Sequence, residues 1–245
     1  MKKILAVIPA RFNSSRFPGK PLALISGKPM IWWVYKNALK INNIELIVAT
    51  DHIDIFNYCI EQKINVLMTS PKHINGTERL TEVSKKINAD IYLTLQGDEP
   101  IFSVQSVKNL IKDFMRETNP FCSTLMIPYK NPIDLINSTT PKVIFSINKS
   151  ILYISRSPIP YPKNFLDYKI YKPTGQYVFT KDALDVYSKL KIGPLEKAED
   201  IELLRFIEND YKIKVYETKS NTIAVDTPKD LERVEKIIND SKKNI

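Results

Sequence analysis

An apolar run of strand length, Ile4-Leu5-Ala6-Val7-Ile8, breaks at Pro9 and passes straight into Ala10-Arg11-Phe12-Asn13-Ser14-Ser15-Arg16-Phe17-Pro18-Gly19-Lys20. A buried strand whose carboxyl end opens into three cations, two hydroxyls and a glycine is how an α/β protein presents an anion-binding loop. The reading is an α/β fold with a loop built to hold phosphates.

The loop draws on residue types the chain otherwise rations. Glycine occurs only six times, at 19, 27, 76, 97, 175 and 193, so glycine is expected where the backbone needs positive φ or close approach. Arginine accounts for seven of 36 basic residues. In so lysine-biased a chain, its planar fork is kept where a point charge would not serve. Arg11, Arg16, Arg79 and Arg156 fall in candidate site loops, while Arg116 and Arg233 read as solvated helix faces.

At 245 residues and 43% hydrophobic content, the chain is read as one domain over 1–245. The short apolar start, interrupted by Pro9 and Arg11, lacks the pattern of a signal peptide. No run approaches the ~20 apolar residues of a membrane helix. Cys59 and Cys122 have no metal-ligand spacing and read as buried apolar residues. These features predict a cytoplasmic protein without a membrane partner. The net charge of +9 comes from dispersed lysines, without a zinc finger or an aromatic-basic RNA signature, so no nucleic-acid partner is expected.

Strands and helices alternate through the first half, the order of a parallel sheet with helices on both faces. Strands are predicted at 46–50, 66–68, 91–95 and 213–216. Helices are expected at 29–40, 54–62, from Thr77 as N-cap to Lys86, at 196–208, and after Asp226. From 121 to 178, prolines at 128, 132, 141, 158, 160, 162 and 173 separate β-branched and aromatic residues. That segment reads as a β-rich excursion, a lid or a dimer contact.

Two carboxylates stand where a metal-bound triphosphate would want them. Asp98, in Gln96-Gly97-Asp98-Glu99-Pro100, follows a buried strand and so reaches the sheet's carboxyl edge, where it can hold Mg²⁺. In Val225-Asp226-Thr227-Pro228-Lys229-Asp230, Thr227 is the N-cap, Pro228 the first helical residue and Asp230 first-turn, which leaves Asp226 without a capping role. A basic loop facing two such carboxylates suits a metal–nucleoside triphosphate complex.

These segments, with Gly27-Lys28-Pro29-Met30, Ala49-Thr50-Asp51, Met68-Thr69-Ser70, Gly76-Thr77-Glu78-Arg79, Tyr153-Ile154-Ser155-Arg156 and Pro194-Leu195-Glu196, resemble in order the CMP-Kdo synthetases. These are the 3-deoxy-manno-octulosonate cytidylyltransferases of bacterial lipopolysaccharide synthesis. The resemblance implies a Rossmann-like nucleotidyltransferase fold with a mainly parallel sheet and a small antiparallel excursion. It also implies a homodimer, CTP as nucleotide and Mg²⁺ as cofactor. Ala10, Arg11, Ser15, Arg16 and Lys20 match the CTP loop, and Asp98 and Asp226 the metal ligands. Arg79, Gln96, Arg156, Tyr177 and Glu202 match the acceptor's surroundings. Lys20, Arg11, Asp98 and Asp226 form the catalytic set.

Two positions depart from the family pattern. Pro173 stands for its histidine and Leu203 for an amide, so two polar contacts to sugar hydroxyls are expected to be lost, with Gln176 offering a new one. Contacts of that kind support discrimination up to ~10⁴-fold. The acceptor is therefore read as Kdo or a related ulosonic acid, the alternative being another acid such as a phosphorylated or phosphonate small molecule. Neither His52 nor His73 is placed as a general base. A nicotinamide-dependent oxidoreductase would need Gly-x-Gly-x-x-Gly after the first strand, which the chain does not supply.

Overall fold

In a computed structural model, residues 2–13, 17–129, 135–164, 168–220 and 222–243 are described. The strands are β1 (Ile4–Ala10), β2 (Leu24–Ile25), β3 (Lys28–Pro29), β4 (Glu45–Thr50), β5 (Val66–Met68), β6 (Ile91–Thr94), β7 (Cys122–Pro128), β8 (Lys142–Phe145), β9 (Ile151–Ser155), β10 (Tyr171–Thr180) and β11 (Ile213–Glu217). The helices are α1 (Met30–Ala38), α2 (Ile53–Glu61), α3 (Gly76–Lys86), α4 (Val104–Arg116), α5 (Lys181–Lys189), α6 (Pro194–Glu199), α7 (Leu204–Ile207) and α8 (Pro228–Lys243).

The main sheet runs β11-β7-β10-β6-β1-β4-β5. β1 pairs in parallel with β4 on one side and β6 on the other. Successive residues of a strand face opposite sides of its sheet. Accordingly Ile4, Ala6 and Ile8 enter a core shared with α1, α2 and α4, while Leu5 and Val7 enter the core beneath α3, α5 and α7. Burial on both faces is why β1 reads as an unbroken apolar run. Helix α4 shows the matching pattern, with Val107, Leu110, Ile111 and Phe114 buried at the spacing of one helical face.

The chain leaves β1 toward β4 and β5, then returns to β6 on the opposite side of β1. That reversal opens a crevice at the carboxyl ends of β1 and β6, the place where open α/β sheets bind ligands. The 121–178 segment divides between two roles. β7 and the antiparallel β10 belong to the main sheet, whereas β8 and β9 form a hairpin paired to it through Tyr171 and Val143.

Two local expectations are corrected. Helix α3 is capped by Asn75, whose side chain accepts from the Glu78 amide, so Thr77 lies inside the first turn; both residues are good caps and only the backbone decides. The 196–208 helix is in fact two, α6 and α7. Asp200 closes α6 with φ 51°, the left-handed conformation that ends a helix, and the reversal sends Glu202 toward α3. Both cysteines are buried and free, and burial pushes the Cys59 thiol up to about 12.

Candidate active site

The crevice is a cleft of about 790 Å³. Ala10, Arg11 and Lys20 line it from the β1 side, and Gln96, Gly97 and Asp98 from the β6 side. Arg79, Arg156, Tyr177, Glu202 and Asp226 complete the predicted residues on its walls. Ser15 and Arg16, read as part of the CTP loop, lie outside the described residues.

The loop is held down at both ends. The Gly19 amide donates to the Phe12 carbonyl at 2.9 Å, and Gly19, at φ 70°, caps the single 3₁₀ turn Lys20–Leu22. Phe12 stacks on His52 with ring centroids 3.8 Å apart, and its amide donates to Asp51 Oδ1 at 3.3 Å. Arg11 Nη1 donates to the Ile74 carbonyl at 3.2 Å.

At the far wall, Gly97 is required by close approach, since a Cβ there would lie 2.5 Å from the Pro9 carbonyl oxygen. Dense packing of strand ends leaves no room for that carbon. Next to it Asp98 faces Lys20 Nζ at 2.6 Å, and Asp226 Oδ1 lies 3.5 Å from the same ammonium. Backbone bonds build this convergence. The Val225 amide donates to the Asp98 carbonyl at 2.8 Å, and Ile101 bridges Ile223. Thr227 and Asp230 cap α8 reciprocally, at 2.8 Å from the Thr227 amide to Asp230 Oδ2, and Asp226 lines the cleft.

The two predicted guanidiniums are held differently. Arg79, 2% exposed, pairs with Asp51 Oδ2 at 2.7 Å and donates to Thr69 Oγ1 at 2.5 Å. Its charge is met within the wall. Arg156 instead donates to carbonyls of Ser138, Glu199 and Asp200, with the Asp200 carboxylate 3.8 Å away and fully exposed. Neutral carbonyls fix its direction on the cleft wall, and its ion-pair partner is exposed to solvent.

Glu202 accepts from the Thr77 amide at 2.9 Å, at the positive end of α3. Burial still raises its pKa, against that bond. Burial also holds the Tyr177 phenol well above its usual range, with Glu202 and Glu99 adding to the effect.

Gln176 is not on the cleft wall. It is 1% exposed and its amide donates to Glu99, so the new polar contact expected from it is spent in the interior. Burial and the neighbouring Asp98 push Glu99 up to about 8. The two departures from the family pattern also lie off the cleft lining. Leu203 is 1% exposed in the core, and Pro173 sits in β10 opposite Met126.

Sequence reasoning missed Asp51, whose two oxygens tie the Phe12 amide to Arg79. The signal that singled out Asp98, a carboxylate just past a buried strand, applies equally to Asp51 after β4. It also missed Arg205, which bonds Glu196 through two nitrogens at 2.7 Å and reaches Glu78 at 3.0 Å.

Both histidines are committed to structure. His52 caps α2, and His73 pairs with Glu82 at 2.5 Å. Burial would raise the Glu82 pKa, but bonds from Lys86, the Ser70 amide and His73 outweigh it and bring the group from an ordinary 4.5 to about 2. A folded pKa below the unfolded one gives stability that is complete above about pH 4.5 and lost as pH falls toward 2. Glu82→Gln should therefore flatten the acid limb of the stability–pH curve over that interval, read by urea midpoints from pH 7 down to pH 2. An unchanged limb would remove this account.

A parallel sheet with a phosphate-type loop and two convergent carboxylates at its switch point defines a nucleotidyltransferase site. The cytidylyltransferase family model matches residues 5–220. A 3-deoxy-manno-octulosonate cytidylyltransferase of Fusobacterium nucleatum is 42% identical over 233 residues, 95% of each chain. An 8-amino-3,8-dideoxy-manno-octulosonate cytidylyltransferase of a Shewanella strain is 37% identical over 237 residues, 95% of this chain and 97% of the relative. Among solved structures, CMP:2-keto-3-deoxy-manno-octonic acid synthetase complexed with CTP aligns with a TM-score of 0.92 at 38% identity, covering 98% of this chain and 99% of that one. The chain belongs to the cytidylyltransferase family, among its CMP-Kdo synthetases.

Proposed function

We propose that the protein transfers CMP from CTP to the acidic sugar 3-deoxy-manno-octulosonate with release of pyrophosphate, using magnesium. The observation that carries this reading is the convergence of Asp98 and Asp226 on the Lys20 ammonium, at 2.6 and 3.5 Å, beside Arg11. Two hard carboxylates from separate segments fit a magnesium ion that takes its other ligands from phosphate oxygens and water.

Asp98 and Asp226 would hold the magnesium, which would supply charge neutralisation at the phosphates and a lowered pKa for the attacking hydroxyl. Lys20 and Arg11 offset the charge that grows on the departing pyrophosphate. Arg156 receives the sugar carboxylate, because its charge on that wall is met by the solvent-exposed Asp200 carboxylate at 3.8 Å, whereas that of Arg79 is paired in the interior. Gln96, Tyr177 and Glu202 orient the sugar, Glu202 from a position fixed by the α3 amide. Arg79 shapes the wall and keeps its own charge paired with Asp51. Neither histidine lines the cleft, so no imidazole takes the hydroxyl proton.

The reading places the protein in the cytoplasm, supplying activated sugar for lipopolysaccharide, and as a homodimer. Support for a partner surface comes from the β8–β9 hairpin, which exposes Ile147 and Leu152.

A pyrophosphate-release assay over a panel of acceptors tests the function. Kdo and its 8-amino derivative are expected to support turnover with CTP, and phosphorylated or phosphonate acids to be inert. Turnover with a phosphonate alone would overturn the sugar reading.

A further inference from the structure

The carboxylate pair is built without help from the cation between it. The bond from the Val225 amide to the Asp98 carbonyl and the Ile101–Ile223 bridge bring the segments of Asp98 and Asp226 together through backbone contacts that do not involve Lys20. Lys20 then brings its ammonium onto both from a backbone pinned by the Gly19 cap and the 3₁₀ turn, with its side chain only 11% exposed. Two nearby carboxylates repel each other, and one ammonium offsets only part of their charge. A divalent ion on the same oxygens offsets all of it and repels the ammonium. Lysine is suited to such an exchange, being a compact charge on a flexible stem, where an arginine fork would hold its carboxylates in fixed geometry.

We infer that Lys20 is an exchangeable internal cation: it occupies the Asp98–Asp226 pair until a divalent ion arrives, and it leaves for the phosphates that arrive with that ion. This rests on the proposed metal-dependent reading of the site and adds an order of events to it. The nucleotide-free protein binds divalent ions weakly because Lys20 competes for their ligands. A polyphosphate that draws Lys20 away strengthens the metal site, and by linkage the metal strengthens polyphosphate binding by the same factor.

The test is Mn²⁺ binding to nucleotide-free protein, followed by electron paramagnetic resonance of the free ion. Lys20→Met should bind Mn²⁺ at least about tenfold more tightly than the original protein, within the range of such couplings. Lys20→Arg, which keeps the charge, should bind no more tightly than the original. This comparison separates charge from packing. Equal or weaker binding in Lys20→Met, or equal tightening in Lys20→Arg, would overturn the inference. A double variant, Lys20→Met with Asp98→Asn, should lose the gained affinity. If it keeps that affinity, the ion sits elsewhere and the metal reading itself fails, an outcome distinct from failure of the exchange.

Discussion

Replacing Asp98 by asparagine is expected to lower kcat/KM for CMP transfer on the order of 10³-fold or more, while the protein stays folded. The substitution keeps the shape of the side chain and removes one negative charge from the pair that meets Lys20. It leaves untouched the backbone bond by which Asp98 holds Val225, so Asp226 keeps its place and the loss is one of charge at the phosphates. Pyrophosphate release measures the rate and circular dichroism the fold. A variant within tenfold of the original rate would remove Asp98 from the reaction.

The largest effect on stability is expected at Arg205. Its guanidinium is 3% exposed, Glu196 is 5% exposed, and the two share two bonds of 2.7 Å. The cation also lies over the Tyr187 ring, 4.2 Å from its centre, and reaches Glu78 in α3. Burial would lower the guanidinium pKa, but the carboxylates facing it raise it instead. Arg205→Ala leaves Glu196 buried without a counter-charge, which typically costs about 3–5 kcal/mol. For a chain of this length that corresponds to a fall in Tm of about 10 °C. Urea unfolding with an unchanged m value is the measurement, and a loss below about 1 kcal/mol would show that the network contributes little. A milder variant, Arg205→Lys, should recover only part of the loss, because one ammonium cannot span both oxygens of Glu196 and reach Glu78.

What could be read from sequence follows the physics of each signal. β1 and its loop were legible because burial on both faces and a cluster of cations in a lysine-biased chain leave few interpretations. Asp226 emerged by elimination, since Thr227, Pro228 and Asp230 accounted for the helix start. The errors came where direction, and not residue type, decides. Leu203 looked like a lost sugar contact because the family pattern has an amide there; past the left-handed turn at Asp200, Leu203 lies in the core and Glu202 on the cleft wall. Gln176 looked free to greet a ligand because its partner, Glu99, is distant in sequence. Arg205 gave no signal, as its partners come from two other helices.

The late arrival of Val225 at the Asp98 carbonyl has a consequence for biosynthesis. The strand that carries the triphosphate loop is translated early, while Asp226, and the Val225, Val234 and Ile238 side chains that pack with Phe17 of that loop, join only after the strands between have been made and folded. Domains form progressively as they leave the ribosome, so a nascent chain would display a cationic mouth well before acquiring its second acid. Premature termination ahead of Val225 should thus yield a molecule that performs no chemistry, since it lacks both Asp226 and the side chains that pack with Phe17 of the loop.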